Sequence, residues 1–317
     1  MYRIGVDLGG TNIATGVIDS ENKIIGLGKL KTNSPRPARE IFDDIIKTVY
    51  MAIEDAGITI EEVESIGMGT PGSVDKKRGM VLYSNNIRFK DVEAVKMLKE
   101  EFANIEVRIE NDANCAALAE AIVGCGKGKS SLIAVTLGTG VGGGIVLDQK
   151  LVTGFNDIGA ELGHTSINFE GTMCNCGRRG CWEAYASASA LIAQTKEAML
   201  ENKDSKMWEL CGGDIEKTNG RTSFDAMRLG DEAGKKVVDT YIGYIAVGCV
   251  NIINTFQPEV ICLGGGICNE GETLLAPLRE LAHASSYGNE ASVPKTEFHR
   301  AILGNDAGII GAALINY

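Results

Sequence analysis

The sequence predicts an α/β protein built from two duplicated domains, and three observations lead there. One layout occurs twice: Val6-Asp7-Leu8-Gly9-Gly10-Thr11 near the start and Val135-Thr136-Leu137-Gly138-Thr139-Gly140 further on. Each reads as a strand, a glycine turn and a second strand. Strand-like runs also alternate with helical periodicity along the chain, which is the pattern of α/β architectures. Finally, 317 residues suffice for two domains, and 44% hydrophobic with 23% charged residues is ordinary globular composition.

Taken in order, residues 2–7 alternate toward a strand, the turn follows, and 13–19 return as its partner. The Gly9-Gly10 tip leaves backbone N–H groups uncovered, so Gly9, Gly10, Thr11 and Asn12 are candidates for a phosphate cradle. Asp7, at the strand's end, is a candidate magnesium ligand or a turn-capping carboxylate. Residues 37–57 carry Ile41, Ile45, Ile46, Val49 and Ala52 on one helical face, with Gly57 as the stop. A strand over 63–69 runs into the loop Thr70-Pro71-Gly72-Ser73, and Ser84-Asn85-Asn86 is a polar break between apolar stretches. A helix is expected over 92–102 and a strand over 105–109. That strand ends in Glu110-Asn111-Asp112-Ala113-Asn114, ahead of a helix over 113–123. A carboxylate at a strand-to-helix junction is where α/β proteins place ligands, and it is also a helix N-cap.

Two phosphate-loop imitations are set aside. Val123 stands where a Gly-Lys-Ser phosphate loop ending at Ser130 needs glycine, and Gly138, Gly140 and Gly143 are followed by strand rather than helix. The second hairpin is instead the counterpart of the first, the pair facing each other across a cleft and clamping one polyphosphate through Gly10, Thr11, Thr139 and Gly140. Further on, 183–199 is helical, 203–221 is polar and irregular, 224–229 is a short helix and 233–256 a long apolar one. The strand 260–263 ends in Gly264-Gly265-Gly266, either a plain turn or a place where a flat purine ring approaches backbone. Strand 296–299 and helix 307–313 close the chain.

The densest chemistry lies between Gly159 and Glu183. His164 precedes Cys174, Cys176 and Cys181, and one imidazole with three thiolates completes a tetrahedral zinc set with no position left open. Incidental thiols and a redox pair are the alternatives. Glu161 and Glu183 flank the cluster. A closed site points to a structural ion bracing a loop rather than a catalytic one.

A net charge of −11 argues against nucleic acid, which rewards clustered positive charge. No run approaches the ~20 apolar residues of a membrane span, and the opening residues read as strand rather than export signal. Six of the nine cysteines lie in apolar or helical contexts, and the other three form the metal-type cluster. Both features are expected of a reducing cytoplasm.

Five motifs carry a resemblance over essentially the whole chain to the sugar kinases of the ROK family (repressor, open reading frame, kinase). They are Asp7-Leu8-Gly9-Gly10-Thr11, Glu110-Asn111-Asp112-Ala113-Asn114, Leu137-Gly138-Thr139-Gly140, Gly159-Ala160-Glu161-Leu162-Gly163-His164, and the cysteine run ending at Glu183. The resemblance implies a duplicated, actin-like ATPase (ribonuclease H-like) fold. Residues 1–111 with 301–317 would form the smaller domain and 112–300 the larger. It implies ATP- and magnesium-dependent phosphorylation of a hexose 6-hydroxyl, glucose foremost, with N-acetylmannosamine, fructose or allose as other substrates and a non-enzymatic sugar-binding regulator as the rival class. Asp112 would be the general base. Asn111, Glu161, His164 and Glu183 would hold sugar hydroxyls, with Asn86 and the Gly72-Ser73 backbone, and Gly264, Gly265 and Gly266 would meet the nucleotide. His164 would serve both zinc and sugar, and the chain would pair as a homodimer or larger homo-oligomer. Ser84-Asn85-Asn86-Ile87-Arg88-Phe89 departs from the Pro-Asn-Leu-Pro-Gly-Trp often found in the family, which leaves the choice between Asn85 and Asn86 open.

Overall fold

The structure, a computed structural model, describes residues 1–290 and 292–315. Residue 291, assigned by the sequence to the larger domain, and 316–317, assigned to the smaller, lie outside them. The first sheet contains β1 (Tyr2–Leu8), β2 (Asn12–Ile18), β3 (Ile24–Lys31), β4 after helix α1 (Ala38–Ala56), and, beyond a small antiparallel sheet, β8. Here β4 is Val63–Thr70, and the small sheet is β5 (Ser73–Asp75), β6 (Met80–Ser84) and β7 (Phe89–Val92). Helix α2 (Ala94–Lys99) leads to β8 (Glu106–Asn111), and α3 (Asp112–Ile122) follows at once. The strand order is β3-β2-β1-β4-β8. β1 pairs antiparallel with β2 and parallel with β4, and β4 parallel with β8.

The second sheet repeats that order. Its strands are β9 (Ser131–Leu137), β10 (Val141–Leu147), β11 (Lys150–Leu151), β12 (Val260–Gly264) and β13 (Glu297–Arg300), arranged β11-β10-β9-β12-β13. Between β11 and β12 come α4 (Glu183–Ala186), α5 (Ala188–Glu201), α6 (Lys206–Leu210), α7 (Thr222–Arg228) and α8 (Glu232–Phe256). Helix α9 (Glu272–Ser285) precedes β13, and α10 (Asp306–Leu314) ends the chain. The same order in both sheets is the duplicated, actin-like layout.

Packing divides the chain into two compact units, Met1–Leu132 with Gly144–Ala160 and Ala301–Tyr317, and Ile133–Gly143 with Glu161–Arg300. The first is larger than the sequence boundary at 111/112 suggests, because α3 is bound into it. A Cβ on Gly311 of α10 would lie 1.8 Å from the Cys115 carbonyl oxygen of α3. The Glu120 carboxylate of α3 also accepts from the backbone of Ile302 and Leu303, both at 2.8 Å. Helix α10 comes equally close to the sheet, where a Cβ at Gly5 would meet the Ile309 oxygen at 1.8 Å. On the other sheet face α1 buries Ile41, Ile45, Val49 and Ala52, as its periodicity predicts, while Ile46 is only half-buried and Phe42 is buried in addition, and Gly57 closes it at φ +67°.

Several expectations shift. The 92–102 helix is a strand end followed by the shorter α2, and 183–199 is broken at Ser187, whose hydroxyl caps α5 through the Ala190 N–H at 3.1 Å. Within the irregular 203–221 lies α6, started by Ser205. Against the expectation that no run approaches a membrane span, α8 is long and apolar enough by length and composition. Much of its apolar face is instead core, Val237, Tyr241, Ile245 and Ile253 being buried while Val247 is exposed. Trp182, 1% exposed, packs on Gly248, and its Nε1 donates to the Tyr244 carbonyl at 2.8 Å.

Candidate active site and metal centre

In the first unit the junction of β8 and α3 gathers the acids. Asn111, not Asp112, caps α3: its Oδ1 accepts from Ala113 N at 2.9 Å and Asn114 N at 3.2 Å. Its Nδ2 donates to the Gly72 carbonyl at 3.1 Å, joining the Gly72-Ser73 loop to the junction. Asp112 is thereby released from capping. Its Oδ1 accepts from Ala113 N at 2.8 Å, and its carboxylate also takes a hydrogen bond from its own backbone N–H. Burial pushes its pKa above the ordinary carboxylate value. Asp7 is pushed up to about 6 by burial and then by the charge of Asp112. Its carboxylate sits against Gly308, where a Cβ would lie 2.6 Å from Oδ2. Two half-buried acids, each raised first by burial and Asp7 further by the charge of Asp112, offer hard oxygens of the kind a magnesium ion takes.

The Gly9–Asn12 turn stands beside the loop after β6. A Cβ on Gly10 would lie 3.6 Å from Asn86 Cβ, and the Asn86 carbonyl accepts from Ser34 Oγ at 3.4 Å. Asn86 rather than Asn85 is thus the asparagine at the turn. The turn is closed by Gly9 N donating to the Asn12 oxygen at 2.9 Å and by Thr32 Oγ1 donating to the Gly9 carbonyl at 2.7 Å.

Sequence reasoning missed what holds the junction from behind. Glu110, 2% exposed, accepts from Asn111 N at 2.9 Å and Asn114 Nδ2 at 3.0 Å through one oxygen, and from Lys76 Nζ at 3.0 Å through the other. Lys76 Nζ also reaches Thr153 Oγ1 at 2.7 Å and Asp157 at 3.2 Å. Burial opposes the lysine charge, but Glu110 and Asp157 outweigh it and hold its pKa above the usual lysine value. Cys115 lies fully buried beneath, its thiol driven well up by burial and then by the three carboxylates around it. The available signal was Glu110 itself, an acid inside a buried strand that needs a cation.

In the second unit, His164 Nδ1 lies 3.8 Å from Cys174 Sγ, and Cys176 Sγ lies 3.6 Å from Cys181 Sγ. All four donors fall within 4.8 Å of one another. Sulfurs bound tetrahedrally at ~2.3 Å are roughly 3.8 Å apart, so the set fits a zinc-sized ion. The loop's own hydrogen bonds bring them there: Cys174 N to the Arg178 oxygen at 2.8 Å, Gly177 N to the Cys174 oxygen at 2.9 Å. Gly177 turns at φ +85° and Gly180 at φ +77°, and a Cβ on Gly180 would collide with the Asn168 oxygen at 1.5 Å.

Glu183 ties this centre to the second glycine turn. Its Oε2 accepts from Val141 N at 2.9 Å, and its Oε1 lies 3.6 Å from Cys174 Sγ. A Cβ on Gly140 would sit 2.2 Å from Oε2. Gly265, at φ +95°, backs onto the end of β9, where a Cβ would lie 2.2 Å from the Leu137 oxygen. Glu161 is exposed just ahead of the short turn that carries His164.

The sequence profile of the ROK family matches residues 3–316. A glucokinase of Thermotoga maritima is 38% identical over 314 residues, 98% of this chain and 96% of that protein. A crystal structure of a ROK family glucokinase from Streptomyces griseus, in complex with glucose and AMPPNP, is 35% identical, has a TM-score of 0.78 and covers 99% of both chains. The ROK hexokinase of Thermus thermophilus superposes with a TM-score of 0.83 at 31% identity, covering 99% of this chain and 97% of that one. Matched nearly from end to end by the profile, the relatives and the fold, this chain belongs to the ROK family.

Proposed function

We propose that the chain is an ATP-dependent hexose kinase acting on the 6-hydroxyl of glucose. The observation that carries this reading is Asp112. The neighbouring Asn111 performs the capping, and the half-buried Asp112 carboxylate, held by the backbone of Ala113 and its own N–H, can take a proton. A hydroxyl is a weak nucleophile, so Asp112 accepts its proton as it attacks, a contribution of typically ~10²–10⁴-fold. The raised pKa brings the base closer to neutral pH, which favours proton transfer.

Sugar hydroxyls are assigned to Asn111, whose Nδ2 keeps one N–H beyond its bond to Gly72, and to Asn86, Glu161, His164 and Glu183, with the Gly72-Ser73 backbone. The turns at Gly9–Asn12 and Thr139-Gly140 present N–H groups to phosphates, and Gly264–Gly266 admits a purine ring at close range. Asp7 would hold the magnesium that accompanies ATP and offsets phosphate charge when bound. His164, Cys174, Cys176 and Cys181 would hold a structural zinc. Nδ1 faces the thiols, so Nε2 remains for a sugar hydroxyl. The thiolates of such a centre suit a reducing cytoplasm, and the enzyme would act as a homo-oligomer.

ADP release measured against a panel of a dozen sugars tests the reading. Glucose-dependent release that exceeds that with N-acetylmannosamine, fructose and allose is expected. Release that ignores the sugar, or that occurs with none, overturns it.

A further inference from the structure

In the first unit a cavity of about 610 Å³ opens along the outer side of β8, within the size range of small-molecule sites. β8 ends its sheet, so that side has no strand neighbour. Leu118 of α3, Leu151 of β11 and Leu314 of α10 contribute apolar floor. The rim carries five cations, Lys76, Lys77, Arg78, Arg108 and Lys150, against two carboxylates, Glu106 and Glu110. In a chain of net charge −11, that local excess is the reverse of the overall balance.

The cations are not equally committed. Lys76 is held by Glu110 and Asp157, and Arg108 pairs with Glu106 along the strand. Arg78 stands 3.9 Å from Asp75. Lys77 and Lys150 are exposed and have no carboxylate partner among the described residues. None of the residues assigned to sugar, nucleotide or metal lines the cavity.

We propose that this cavity is a second ligand site, for a small organic anion with an apolar body. The head, a phosphate or carboxylate, is held by Lys77 and Lys150, and the body lies on the leucine floor. Occupancy reaches the reacting centre through residues the two places share. Lys76 and Glu110 line the cavity, and Glu110 receives the N–H of Asn111, one residue before Asp112. An anion competes with Glu110 and Asp157 for Lys76, loosens the junction and slows phosphoryl transfer. This last step rests on the kinase reading; the binding does not.

The test titrates the intact protein, free of nucleotide and sugar, with phenyl phosphate, benzoate and benzyl alcohol by calorimetry. The two anions distinguish the head groups, and the alcohol controls for the apolar body. At least one anion is expected to bind where the alcohol does not, and to bind more weakly between about 50 and about 500 mM salt, where the Debye length shrinks several-fold. The double variant K77E/K150E is expected to lose about tenfold or more in that affinity, since reversing charges at the rim removes the steering and the pairing together. K77Q/K150Q should fall between, and both should keep the wild-type rate without anion. No binding at millimolar concentration, or equal affinity in wild type and K77E/K150E, overturns the site. Anion binding without slowed wild-type turnover at saturating ATP and sugar overturns the coupling. If sugar-dependent ADP release is itself absent, the calorimetry still decides the site.

Discussion

The two strand–glycine turn–strand repeats share a strand order and differ in what surrounds the turn. Around Gly9–Asn12 the support is regular structure and charge: the parallel strands β1, β4 and β8, helices packed closely through glycine, and the Lys76–Glu110 pair behind the junction. Around Gly138–Gly140 the neighbouring chain from β11 to Glu183 is mostly irregular, and four metal-type donors gather it. Glu183 then carries that order to the turn through Val141 N. One topology is therefore stiffened by burial in one half and, on the proposed zinc assignment, by cross-linking in the other. The choice follows the local sequence: buried apolar strands suit the first, and a loop of short backbone bonds with few apolar residues needs the second.

If the comparison holds, damage to each half should read out differently. The largest effect belongs to the first. Asp112→Asn is expected to fold and to bind glucose within a few-fold of wild type, while kcat drops by about 10²–10⁴ or more in a coupled ADP assay. In the wild type the acid limb of kcat/KM should lie above the ordinary carboxylate range, because burial raises Asp112 and the base works only when ionised. A variant with near-normal turnover removes Asp112 as base.

In the second half, Cys176→Ser should abolish bound zinc by elemental analysis and raise the KM for glucose about tenfold or more, with a smaller change for ATP. Wild-type protein purified without chelator and found free of zinc would contradict the metal assignment, and an equal rise for both substrates would contradict the local role of the loop.

Charge support behind the first junction should show as coupling. Lys76→Met leaves Glu110 buried without its cation and should cost about 3 kcal/mol in chemical denaturation. Adding Glu110→Gln should recover part of that loss, since the double change removes the uncompensated charge. Strictly additive effects would mean the pair does not act as a unit.

The smallest effect concerns Asp7. Its folded-state pKa of about 6 exceeds the unfolded value near 3.8, so protonation favours the fold. The stability linked to this group is full below about pH 4 and lost as pH rises through about 6. Asp7→Asn should therefore be more stable than wild type by about 1–3 kcal/mol at pH 7–8 in magnesium-free buffer. The advantage should vanish near pH 3.5. A constant difference across that range would mean that Asp7 is not strained by burial.

Local patterns were legible wherever the cause is local. The α1 face, the Gly57 stop, the strand-turn-strand repeats and the spacing of His164, Cys174, Cys176 and Cys181 are properties of neighbouring residues, and the structure forms each of them. The split of 183–199 at Ser187 and the helix inside 203–221 depend on caps weak enough to be passed over. The role of α8 as core rather than span needed Trp182 against Gly248, a contact 66 positions apart in the chain (248 − 182).

What the sequence alone determined is therefore the fold class, the family and the donor atoms. Each rests on residue types at short, countable separations. Only the tertiary structure decided that Asn111 does the capping and frees Asp112, that Glu183 binds the second turn's backbone, and that Lys76 closes over Glu110 from 34 residues away. Those pairings join chain segments brought together by sheet order, and a charge buried at such a place takes whichever partner the packing delivers, which no local pattern specifies.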